Sequence, residues 1–72
     1  MKAATKVKAI QARLSELTSQ LEEAMEAMNE ELDTLDEDSE KYESLQGDLF
    51  LLEETAALID EAVANVDSIL ND

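Results

Sequence analysis

The chain has no cysteine, histidine, proline or tryptophan, a single glycine, Gly47, and only two aromatic residues, Tyr42 and Phe50. Each absence removes a class of protein. Without Cys no disulfide can brace the 72 residues. With His missing too, structural zinc sites, zinc hydrolase motifs, Glu-x-x-His di-iron sites and Cys-based triads are all excluded. A core of this size supplies only about 3 to 5 kcal/mol unaided. We therefore expect one domain, stabilised by association with another chain. No stretch approaches the ~20 apolar residues of a membrane span. The start, Met1 to Lys8, is positively charged like the beginning of a signal peptide, but no continuous apolar segment follows it. The expectation is a cytoplasmic protein that neither crosses a membrane nor leaves by a cleaved signal.

Basic residues are the next scarcity: five Lys and Arg stand against 19 Asp and Glu, a formal charge of −14. Direct binding to nucleic acid or to anionic membranes draws on clustered Lys and Arg, so neither is an expected partner. The charge is also uneven. Lys2, Lys6, Lys8 and Arg13 precede every acid, whereas all the acids lie from Glu16 onward with Lys41 as the only later base.

What is present reads as helix. Ala, Leu and Glu lead the composition, and all three are strong helix formers. Val7, Ile10, Leu14, Leu17, Leu21, Met25, Met28, Leu32 and Leu35 recur at 3-4 spacing, with one extra four-residue step between Leu21 and Met25 that reads as a stutter. A second series, Tyr42, Leu45, Leu49, Leu52, Ala56, Ile59, Val63, Val66 and Leu70, keeps the spacing without interruption. Between them, Asp33 to Glu40 is rich in weak helix formers that favour N-caps. The predicted fold is all-α: an antiparallel, coiled-coil-like two-helix hairpin filling residues 1–72, with helix one at about 3–36, a turn at about 37–39 and helix two at about 40–71. Folding about that turn sets Val7 beside Leu70, Leu14 beside Val63, Leu21 beside Ala56, Met28 beside Leu49 and Leu35 beside Tyr42. It also lays the basic start beside Asp67 and Asp72, at the negative end of helix two. The alternative is a break at Gly47, as a C-cap followed by Asp48 as the next N-cap, which gives a long first helix and a short second one.

On a helical wheel the helix-one seam covers roughly 80°, a stripe that one neighbour can satisfy. Helix two carries its seam and also a flanking stripe of Leu51, Leu58, Ala62 and Ile69, so roughly half its cylinder is apolar. Something besides helix one must cover that stripe. Phe50 points toward the acidic side as a possible aromatic anchor. The candidate partner-binding residues are therefore Phe50, Leu51, Leu58, Ala62 and Ile69.

Catalysis needs a nucleophile beside a base, a metal, or paired carboxylates in a shielded pocket, and a two-helix hairpin offers none of these. The expectation is a non-enzymatic protein with no catalytic residues, no metal and no cofactor. The run Asp36 to Lys41 has the acidity of a calcium loop's start. However, it places Lys41 where that loop requires Gly, and Gly47 where its bidentate Glu should fall, so it reads as a solvated turn. Met25 and Met28 read as gap-filling core residues. Glu16, Glu23, Glu26, Glu30, Asp33 and Glu37 form the water-facing side of helix one, or else a carboxylate row that mimics a phosphate backbone.

The stretch from Ser39 to Ile59, with Tyr42, Leu45, Leu49, Leu52, Glu53 and Ile59 after an acidic turn, resembles the second helix of the small E-type co-chaperones of type III secretion needle subunits. It covers about a third of the chain. The resemblance implies a helical hairpin that docks on a tetratricopeptide-like chaperone in the bacterial cytoplasm, the pair keeping the needle-forming protein monomeric. It implies, too, that the face around Leu51, Leu58 and Ile69 makes the contact. Three functions remain open: a co-chaperone or adaptor for a helical-repeat protein partner, an acidic mimic that blocks a DNA- or RNA-binding protein, and a self-associating structural bundle.

Overall fold

Two segments free of proline, each with apolar residues at helical spacing, form the two elements of the computed structural model, which describes residues 2–71. Helix α1 spans Lys2–Asp33 and helix α2 spans Glu40–Leu70. They pack against each other along their length as an all-α hairpin, a rod of 55 × 15 × 13 Å. The length follows from the chain: about 31 residues at 1.5 Å each give roughly 47 Å, and the turn adds the rest. Asp72, expected beside the basic start, lies outside the described residues.

α1 stops at Asp33, three residues short of the expected end at 36. The cause lies in the side chains that follow. Thr34 and Leu35 N–H groups turn back to the carbonyls of Glu31 and Leu32 at 3.0 and 3.1 Å, tightening the last turn, and Thr34 Oγ1 also donates to the Glu31 carbonyl at 2.7 Å. The Asp36 carboxylate then accepts the Asp38 N–H at 3.1 Å, and the Asp36 carbonyl accepts both the N–H and the hydroxyl of Ser39 at 3.0 and 2.6 Å. Such local bonds offer the backbone an alternative to helix. Ser39, in extended conformation, caps α2 by accepting the Tyr42 N–H on its hydroxyl at 3.2 Å, with Glu40 and Glu43 in the first turn where the dipole favours acid.

α2 runs unbroken through Gly47, which has no positive φ, so the alternative of a helix break there does not hold. A Cβ placed on Gly47 would meet nothing within 4 Å. Glycine is neither a cap nor a close-approach residue at this position.

The α2 seam faces α1 as expected: Tyr42, Leu45, Leu49, Leu52, Ala56, Ile59, Val63, Val66 and Leu70 are all buried or half-buried. α1 differs from expectation. Its covered positions are Ala4, Val7, Gln11, Leu14, Thr18, Leu21, Met25, Met28 and Leu32, continued by Leu35 in the turn, while Ile10 and Leu17 are exposed. This is an uninterrupted 3-4 repeat without a stutter. Phase outranks apolarity here because a straight helix cannot change its facing side for two residues, and because the two polar intruders find partners. Gln11 Nε2 donates to Asp67 Oδ1 at 2.6 Å, and Thr18 Oγ1 donates to the Leu14 carbonyl at 2.9 Å. The Gln11–Asp67 pair also fixes the register, within one residue of the expected mirror pairing.

Candidate functional site

With one neighbour per helix, little of the chain can be enclosed. Among the described residues only Leu32 and Leu49 are buried, at 8% and 5% exposure. The large apolar side chains left in solvent are Ile10, Leu17, Phe50, Leu51, Leu58 and Ile69. They are not scattered evenly.

Beside its seam, α2 carries a second 3-4 series, Leu51, Thr55, Leu58, Ala62, Asn65 and Ile69, turned about 110° round the helix. α1 carries a matching one, Ala3, Lys6, Ile10, Arg13, Leu17, Gln20, Ala24 and Ala27. The two series share one side of the hairpin. At the turn end their continuations, Glu31 from α1 and Ser44 and Asp48 from α2, line a single groove with Leu35, Lys41 and Leu45. The opposite side is a polar groove lined by Gln11, Ala12, Ser15, Thr18, Ser19 and Glu22 of α1 and Asp60, Val63 and Asp67 of α2. Because Gln11 stands opposite Asp67, Ile10 lies level with Ile69, and Leu17 lies between Leu58 and Ala62. Ile10 at 50%, Leu17 at 43%, Leu58 at 60% and Ile69 at 59% exposure thus form one apolar patch on the half of the rod that holds the chain ends.

The chain matches no protein-family model, no curated protein and no solved structure. The patch must therefore be read on its own geometry. Of the residues expected from sequence, Leu58 and Ile69 bound it along α2, and Leu51, 63% exposed, extends it toward the turn. Ala62 belongs to the same side but is already half-covered beside the seam. Phe50, 61% exposed, is turned about 100° away from Leu51 and falls outside the patch. Ile10 and Leu17 are the residues that sequence reasoning missed. By size and spacing both fit the α1 seam in the sequence, which would leave helix one needing only helix two. Their exposure corrects that reading, since both helices have unmet apolar surface.

The patch differs in charge from the rest of the molecule. Over residues 3–27 and 51–69 its two series contain no acid, and Lys6 and Arg13 are their only charges, although the chain has 19 acids. Acids of α1 such as Glu16, Glu23 and Glu30 lie on the outward side instead. Thr55, the polar residue within the α2 series, turns its hydroxyl onto the Leu51 carbonyl at 2.9 Å and leaves its methyl available for packing. Among the described residues no group of acids is arranged to hold a metal ion, and no helix is long and apolar enough to cross a membrane.

Proposed function

We propose that this chain is a non-enzymatic helical adaptor, which packs the Ile10, Leu17, Leu58 and Ile69 face against helices of another polypeptide. The observation that carries this reading is the convergence of the four side chains, from two helices, on one side of a strongly acidic rod where the series over residues 3–27 and 51–69 hold no acid. Covering them removes several hundred Å² of apolar surface from water, at about 25 cal/mol per Å². Among the described residues only Leu32 and Leu49 are buried in the hairpin alone, so burial of this face would add substantially to a small core. Helices are the fitting counterpart because both exposed series keep 3-4 spacing, the pattern that interlocks with another helix.

The resemblance of residues 39–59 to needle-subunit co-chaperones supports a narrower form, in which the counterpart is a cytoplasmic helical-repeat chaperone meeting Leu51, Leu58 and Ile69. Affinity capture with the chain in its native cells, followed by identification of the co-eluting protein, tests both forms. Leu58→Asp should abolish capture while the circular dichroism of the purified chain stays helical. If Leu17→Asp combined with Leu58→Asp leaves the captured protein unchanged, the face is not the docking surface.

A further inference from the structure

We propose that in the free chain this face is covered by a second copy, with the two hairpins packed antiparallel over their open halves and their turns pointing in opposite directions. The inference rests on the docking face described above and names its occupant. Three independent features share one level of the rod. Ile10 and Leu17 are centred between residues 13 and 14 of α1. Leu58 and Ile69 are centred between residues 63 and 64 of α2, which the Gln11–Asp67 pair sets opposite residues 14 and 15. The charge of α1 changes sign at the same place, between Arg13, the last of its bases, and Glu16, the first acid.

A twofold axis crossing the rod at that level matches each feature with its complement. Ile10 of one copy meets Leu17 of the other, and Leu58 meets Ile69. The basic segment of one α1 lies along the acidic segment of the second copy's α1, bringing Arg13 and Lys6 toward Glu16 and Glu23 at the outward rim of the face. An isologous interface requires such self-complementarity. Nine of the 19 acids, from Glu30 to Asp48, lie beyond the overlap, and the acidic turns end up at opposite ends of the assembly, which reduces the repulsion carried by the overall charge of −14. Packing the hairpins with both turns at one end would instead confront Glu31 with Asp48 and Glu16 with Glu61. Some 25 residues of each helix overlap, which gives on the order of 700 Å² per copy, close to the ~800 Å² per partner of a stable interface.

The test uses the full chain, with Asp38→Cys as the only cysteine carrying a nitroxide label. Sedimentation equilibrium at micromolar concentration should give twice the 8.0 kDa chain mass, and pulsed electron paramagnetic resonance should give a distance of about 70 Å between labels. Lys6→Glu with Arg13→Glu should weaken the dimer about tenfold or more at low salt, and Leu17→Asp with Leu58→Asp should yield a helical monomer. A label distance under about 30 Å overturns the antiparallel arrangement. A wild-type monomer overturns the second copy as occupant but leaves the adaptor reading intact if capture still depends on Leu58. A dimer that survives Leu17→Asp with Leu58→Asp overturns the face itself.

Discussion

The two halves of the hairpin are built from the same helices but reach different ends. Near the turn the seam is apolar and closed: Leu32 and Leu49 are buried, Met28, Leu35, Leu45 and Leu52 continue the seam half-buried on either side, and the Asp36, Ser39 and Tyr42 bonds shape the turn and cap α2. Toward the chain ends the seam admits Gln11, bonded to the flanking Asp67, and Thr18, and large apolar residues stand outside it at Ile10, Leu17, Leu58 and Ile69. Apolar residues are not scarce there; they are displaced by about a third of a turn. The turn half encloses its apolar seam residues, and the open half leaves several of its own apolar residues in solvent.

Substitutions can break or sharpen that contrast. The largest effect is expected at Leu49→Ala, which should lose about 3 kcal/mol in urea unfolding, close to the whole stability of a core this small. Ser39→Ala removes the α2 cap and should lower stability by about 1 kcal/mol, read from the same curves. Gly47→Ala should act in the opposite direction and raise the thermal midpoint, by up to about 1 kcal/mol in stability, since α2 is continuous there and the added methyl meets open space. Leu58→Ala should change the dilute chain by under about 0.5 kcal/mol, because its side chain is 60% exposed. The same substitution should be strongly disruptive once the face is covered. A large loss at Leu58 in the dilute chain would erase the distinction between the halves.

Much of this was legible in the residues. All nine α2 seam positions followed from unbroken spacing, and the start of α2 near residue 40 followed from the weak, cap-favouring helix formers between Asp33 and Glu40. α1 was harder because its largest apolar residues do not share one phase. Following size from Val7 to Ile10 and from Leu14 to Leu17 required a stutter, whereas Gln11 and Thr18 keep the phase. Their suitability for the seam depends on bonds to Asp67 and to the Leu14 carbonyl, of which the first joins residues far apart in the chain. The exposed apolar patch was half-legible for the same reason. Leu58 and Ile69 stood out on α2, but Ile10 and Leu17 could join them only once the α1 seam was known to exclude them. The end of α1 at Asp33 was hidden in side-chain bonds of the turn, where Leu35 continues the apolar spacing past the last helical residue.

The claim that the open half needs a second surface is tested most directly by residue-resolved hydrogen exchange of the free chain over a range of concentrations. In dilute solution, amides between residues 28 and 52 should exchange more slowly than those of 4–24 and 55–68. As concentration rises through the micromolar range, only the latter two segments should gain protection. Protection that is independent of concentration in both halves would contradict the account.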